Sequence, residues 1–229
     1  MTGFAERLGA IPVAVMCDTL VAAGLPCGVV SSRFRPLQAF SALAGPALCF
    51  SGHETTSADD LIYETDRAVM PGAVVVVASA NRCRGALLGG NMVTSWRQRG
   101  CAGLLVDGFI RDSADFMGLP TLTTCGVTPM PARRMWRYRS LTEPVTLPGQ
   151  VSPVLVGPGD WVHADVDGCL ILPGEYLSDL IELAEGVRKV EARIRDQILQ
   201  GLDREIAYRG NDRYAHVPDL PRKSAGRPE

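Results

Sequence analysis

The chain has 229 residues, 46% of them hydrophobic, which is enough to bury a sizeable core in one domain with a long terminal element. Its formal charge of -2 is spread over interleaved acids and bases, so it lacks the footprint of a nucleic-acid or anionic-membrane binder and leaves small molecules or proteins as partners. No apolar run approaches the roughly 20 residues of a transmembrane helix, and the N-terminal MTGFAERLGA has no basic region leading into a signal-peptide core, so a cytoplasmic location is expected.

Ile11 to Ala23 reads as a helix, because its apolar residues are dense and Gly24 followed by Pro26 is a stop signal. Ser57 can cap a second helix running to about Val69 and ended by Pro71-Gly72. The run AVVVVAS, Ala73 to Ser79, is too short and too β-branched for anything but a buried strand. A glycine-bearing loop from Gly85 to Gly90 follows, then Asn91 to Arg99 with helical character, then a second buried strand at Gly103 to Val106.

Short strands are expected near Leu119 to Thr124 and Pro153 to Val156. Gly157 to Pro173 reads as a hairpin turning at Asp167-Gly168, a dipeptide suited to left-handed backbone angles. From 175 to 200, the apolar positions Leu180, Ala184, Val187, Ile194 and Ile198 recur at helical spacing and mark a long amphipathic helix. Glu191 falls on that seam. The ending VPDLPRKSAGRPE is rich in proline and charge, so residues 218–229 are expected to be a disordered tail on a single domain spanning 1–217.

The strongest chemical signal is AGLLVDGFIRD, Ala102 to Asp112, where a buried strand enters an Asp-Gly turn and delivers an arginine beside an aspartate. Arg111 offers a planar fork of donors suited to a carboxylate, and Asp112 offers hard oxygens suited to Mg²⁺ or Mn²⁺. Neighbours on an extended strand point to opposite sides, so a joint role requires a turn here. The plain alternative is an exposed ion pair of little energetic consequence.

GALLGGNM, Gly85 to Met92, is a second signal: free N–H groups at a helix start, with glycines permitting close approach, bind anions. A tight turn is the alternative. Both signals follow buried strands, where the loops of an α/β sheet gather. Glu191 is the third, since a carboxylate on an apolar seam needs a partner, a metal or a subunit contact, unless Val190 takes the seam instead.

Other patterns point away from familiar chemistries. His53, His163 and His216 lack zinc spacing, and Asp160, Asp165 and Asp167 lack the full calcium-loop pattern and read as turn residues. There is no G-x-S-x-G, P-loop or G-x-G-x-x-G. The seven cysteines are widely spaced without C-x-x-C and read as reduced, mostly core residues. Of 23 basic residues only Lys189 and Lys223 are lysines, one roughly opposite the helix's apolar face and one in the tail. A carbon-carbon lyase needs a lysine Schiff base or a metal to stabilise its carbanion, and here only the metal route is consistent.

These segments resemble the RraA-like family, which includes 4-hydroxy-4-methyl-2-oxoglutarate and 4-carboxy-4-hydroxy-2-oxoadipate aldolases. The resemblance rests on CDTL at Cys17 to Leu20, RPLQAFSALAGPA at Arg35 to Ala47, AGLLVDGFIRD, and PGDWVHADVDGCLILP at Pro158 to Pro173. It implies an α/β fold, an α-β-β-α sandwich of the swivelling-domain type with a long C-terminal helix. It also implies a homotrimer or dimer of trimers with sites between subunits, cleaving a small 2-oxo carboxylate by retro-aldol reaction or decarboxylation through a pyruvate enolate.

By the same resemblance Arg111 binds the pyruvyl group and Asp112 ligates Mg²⁺ or Mn²⁺, while backbone amides of Gly89, Gly90, Asn91 and Met92 hold substrate. Glu191, from a neighbouring subunit, lies near the metal through water. The sequence departs from the pattern at Gly90, which replaces an acid that orders waters for proton transfer, and at Asn91 and Met92, which replace leucines. The alternatives are a non-catalytic regulator that binds a ribonuclease and a same-fold lyase acting on another substrate, such as a sugar acid.

Overall fold

The computed structural model describes residues 2–55, 60–79, 83–133 and 135–221. Its first part contains α1 (Thr2–Gly9), α2 (Val13–Ala22), β1 (Gly28–Val29), β2 (Arg35–Pro36), β3 (Leu43–Glu54), α3 (Ile62–Ala68), β4 (Val74–Ala78), β5 (Ala86–Leu88), α4 (Gly90–Gln98), β6 (Gly103–Asp107) and β7 (Phe109–Ile110). After a 3-10 turn at Ser113–Phe116 come β8 (Thr121–Thr123), β9 (Gly126–Val127), β10 (Trp136–Ser140), β11 (Val145–Leu147), β12 (Val154–Val156), β13 (Trp161–Ala164), β14 (Cys169–Leu172), α5 (Leu177–Leu199) and α6 (Arg204–Arg209).

The principal sheet has the order β1-β14-β13-β3-β4-β6-β8-β2, and β10 also pairs with β3. β3 joins its two halves: Leu43 to Pro46 pair antiparallel with β13, Ala47 to Ser51 parallel with β4, and Ser51 to Glu54 antiparallel with β10. β5, β7 and β9 form a separate parallel sheet beyond the ends of β4 and β6.

Side-chain alternation along the strands sorts the core into three layers. Val74, Val76 and Leu105 face Val162, Ala164 and Cys169 across the curled sheet. Val75, Val77, Leu104 and Val106 pack on the other face with Val93 and Trp96 of α4. Leu170 and Leu172 of β14 pack with Leu20 of α2 and Leu180, Ile181, Ala184 and Val187 of α5. The result is the expected α-β-β-α sandwich with a long C-terminal helix.

Several expectations change in detail. The segment 85–90 is not simply a loop, because Ala86–Leu88 pairs in parallel with β7. The hairpin turns through four residues, with Asp165 N–H donating to Gly168 O and Asp165 Oδ1 accepting from Asp167 N–H, and Asp167 is not left-handed. Asp165 also accepts from Val13 N–H at the start of α2, so it works as a turn and capping residue.

Ile198 is 36% exposed, because α5 outruns the layer that buries its seam as far as Ile194. The start of the tail is docked: Leu220 N–H donates to Ala23 O, and the Leu220 side chain packs on the α2–α5 core. The Ser57 cap and residues 222–229 lie outside the described residues, and the second helix begins at Ile62. α1, α6 and the strands β2, β3, β10 and β11 are additional to the elements expected from the sequence.

Candidate active site

Arg111 and Asp112 leave the end of β7 at a sharp turn. Asp112 has φ 59 and ψ 48, the only positive φ outside glycine among the described residues. This is the turn that a joint role for adjacent residues requires, since it sends both side chains to the same end of α4. Aspartate tolerates the left-handed region better than most residues, but at some cost.

The neighbouring element meets them there. Arg111 N–H donates to Leu88 O at 3.1 Å, and Gly90 N–H donates to Asp112 Oδ2 at 3.0 Å. Arg111 Nε lies 3.6 Å from the same Oδ2, with both side chains about half exposed. An ion pair that exposed contributes at most about 1 kcal/mol, so it does not account for the strained turn.

Gly89 is extended and holds the start of α4, and a Cβ there would stand 2.8 Å from Asp112 Oδ2 and 2.9 Å from Arg111 Nε. Only a residue without a side chain lets the helix start approach the pair this closely. The first-turn amides of α4 and the Arg111 fork thus face one corner, a donor set of the kind that suits an anion.

A groove of about 900 Å³ opens from this corner, lined by Gly89, Asn91, Met92 and Arg111 on one side and by Arg133 and Arg137 on the other. Asp112 does not line it and sits at the helix start beside Gly89. Below the groove, Tyr138 Oη donates to Leu87 O at 3.0 Å, and its ring meets Trp136 and Phe50 edge-on. Burial pushes the Tyr138 phenol well above its ordinary range, with Asp60 and Cys83 adding to the effect, so it stays a neutral donor.

Arg137 and Asp60 form a largely covered pair, Nε to Oδ2 3.5 Å, and Asp60 Oδ1 accepts from Tyr138 N–H. Sequence reasoning missed this wall. Its signal was the period-two pattern Trp136-Arg137-Tyr138-Arg139, which reads as a strand with aromatics buried and arginines on the other face.

Glu191 does not join the corner within the chain. Its Oε1 accepts from Arg213 at 2.8 Å, and Arg213 also stacks over Tyr214 and Tyr208. Of the ways to compensate a seam carboxylate, the chain supplies a partner. Lys189 is exposed on α5, consistent with its exclusion as a buried nucleophile, and Lys223 lies outside the described residues.

No group of three or more His, Cys, Asp or Glu stands together among the described residues. A divalent cation here would therefore rest on one or two carboxylates, with water and substrate oxygens completing its shell. That is the manner of Mg²⁺ rather than of zinc or calcium. The half-exposed Asp112 carboxylate at the corner fits such an ion.

The Aldolase/RraA family model, RraA-like, matches residues 13–171. A protein of Albidiferax ferrireducens with the provisional name 4-hydroxy-4-methyl-2-oxoglutarate aldolase is 30% identical over 158 residues, 65% of this chain and 87% of its own. One of Paraburkholderia phytofirmans with the same provisional name is 32% identical, covering 60% and 84%. Among solved structures, an uncharacterized Pseudomonas syringae protein superposes with TM-score 0.79 over 92% of this chain and 94% of its own at 20% identity, a likeness of fold alone. Streptomyces coelicolor RraAS2, an unusual member of the RNase ES inhibitor RraA family, superposes with TM-score 0.76 at 26% identity, covering 85% and 98%.

Proposed function

Since the chain belongs to the RraA-like family, we propose that it is a carbon-carbon lyase that cleaves a small 2-oxo acid beside its pyruvyl portion, by retro-aldol reaction or decarboxylation. The observation that carries this is the convergence of the Arg111 fork, the Asp112 carboxylate and the amides after Gly89 on one corner of a groove.

In this proposal Arg111 binds the substrate carboxylate with two parallel N–H donors, and the free amides of Asn91 and Met92 face the oxygen on which charge develops. Asp112, kept in place by Gly90 N–H, would hold Mg²⁺ or Mn²⁺, which when bound supplies Lewis acidity toward a 2-oxo group. The buried ring cluster of Trp136, Tyr138 and Phe50 keeps the groove floor rigid. Within the chain Glu191 Oε1 accepts from Arg213, and a reach of its carboxylate through water toward the metal of a neighbouring copy stays part of the proposal. Assembly as a trimer or dimer of trimers is part of the proposal, supported by the exposed apolar residues Ile198, Leu199, Leu202 and Ile206 where α5 passes into α6.

The test is pyruvate release from oxaloacetate and from branched 4-hydroxy-2-oxo diacids, with Mg²⁺ or EDTA, for the wild type and Asp112→Ala. Metal-dependent release that the substitution abolishes supports the lyase. The second reading, a ribonuclease-binding regulator, is favoured by the likeness to RraAS2. No pyruvate from any of these acids, with ribonuclease binding unaffected by Asp112→Ala, would establish it instead.

A further inference from the structure

The end of α2 follows from its local sequence. Gly24, with φ 69, stands just past the helix, where its N–H donates to Val21 O while Leu25 N–H donates to Leu20 O. This paired closure needs a left-handed residue, which glycine supplies, and Pro26 then bars the helix from resuming. The chain doubles back, and Cys27 comes to lie against Cys17 with the two sulfurs 2.7 Å apart.

These two thiols differ from those of the core. Cys49, Cys83 and Cys101 are buried and donate to the carbonyls of Val156, Gly85 and Gly103. Cys17 and Cys27 are only partly buried, and they spend a hydrogen bond on each other. A disulfide therefore asks little further movement of the two sulfurs. The C-terminal arm, residues 211–221, is fastened to the same stretch of α2. Tyr214 Oη donates to Asp18 Oδ2 at 3.1 Å, and Leu220 N–H donates to Ala23 O at 2.9 Å. The side chains of Tyr214, Val217 and Leu220 pack on the same core cluster as Cys17 and Cys27.

We propose that Cys17 and Cys27 are a reversible dithiol–disulfide couple, oxidised by a low-molecular-weight disulfide, whose bond ties α2 to the residue before β1 where the C-terminal arm is anchored. Burial, then the hydrogen bond to Cys17 and the charge of Asp18, pushes the Cys27 thiol well above its ordinary range. Cys27 therefore keeps its proton, and Cys17 makes the first attack. The deprotonated Cys17 sulfur breaks the S–S bond of the oxidant, keeps one half as a mixed disulfide and releases the other as a thiol. Cys27 then attacks the Cys17 sulfur, gives its proton to solvent and expels the second half as a thiol. Two protein thiols are oxidised to one disulfide, and one small disulfide is reduced to two thiols. The couple does not depend on the lyase reading.

The test is incubation of the full chain in glutathione buffers of rising oxidised fraction, followed by alkylation, digestion and mass spectrometry, on the wild type and C27S. Cleavage after arginine leaves both cysteines on one peptide, residues 8–33. In the oxidised wild type this peptide should resist alkylation and lack two hydrogens, and reduction should restore both thiols. C27S should instead retain one glutathione on Cys17, because nothing expels it. Closing a short loop in the unfolded chain should raise the thermal midpoint of the oxidised wild type by a few degrees over the reduced form, and C27S should show no such rise. The wild type carries the test by itself, so a C27S that fails to fold does not weaken it. Wild-type thiols that stay reduced in excess oxidised glutathione, or that each carry glutathione without joining, overturn the couple. So does a joined pair that leaves the midpoint unchanged or lowers it.

Discussion

The backbone N–H of Gly90 donates to Oδ2 of Asp112 at 3.0 Å, across 22 residues of sequence. This bond ties the start of α4 to the turn after β7, and Asp112 adopts φ 59 to make it. Backbone conformation and carboxylate chemistry are therefore separable at this residue. Asp112→Gly and Asp112→Ala both remove the carboxylate and should both abolish metal-dependent pyruvate release. Only alanine must also adopt the left-handed region without a side-chain hydrogen bond, so it should unfold about 1 kcal/mol more easily than glycine. Urea denaturation checks the order; equal stabilities would mean that the turn relaxes when the carboxylate is lost.

Tyr138 pins the strand that feeds this corner. Tyr138→Phe removes the donor to Leu87 O and leaves that buried carbonyl unsatisfied, at a cost of about 1–3 kcal/mol. Leu88 follows directly and accepts from Arg111 N–H, so KM should rise along with the loss of stability. Unchanged denaturation midpoints would show that water replaces the phenol.

His163 sits fully buried on β13, and its ring pKa is lowered to about 4, chiefly by desolvation, with Asp165 and the backbone of Ile11 opposing. The unfolded chain takes up a proton near pH 6.5, whereas the native ring resists until about 4. Stability contributed by the neutral ring is present above pH 6.5 and is lost as pH falls toward 4, by about 1.4 kcal/mol per pH unit and about 3 kcal/mol in all. His163→Asn should flatten the slope of unfolding free energy in that window, whatever its effect on the level. Identical slopes would assign the acid sensitivity to other groups.

At the far end of α5 Leu199 is 78% exposed, and Ile206 of α6 is 59% exposed. Apolar side chains grouped on an exposed helix end are expected to be covered by another copy. Light scattering should give a mass that is a multiple of three chains, and Leu199→Asp with Ile206→Asp should release smaller species. A wild-type monomer would remove the intersubunit site from the proposal.

Local sequence determined a good deal of this protein. The run Val74–Ala78 and the strand Gly103–Asp107 are buried on both faces, as their unbroken apolar character requires, and α5 follows its helical period through Ile194. Arg111, Asp112 and the glycines at 89 and 90 were legible as a candidate site, because adjacent charged residues at a strand end and paired glycines at a helix start are local patterns.

Tertiary structure decided which of these meet. Glu191 pairs with Arg213, and Asp115 fills the space above Gly90. Asp60 holds Arg137 and Tyr138 opposite the anion corner. Each of these relationships joins residues from different elements, so each depends on chain crossings and packing distances that no local pattern of propensity or hydrophobic period encodes.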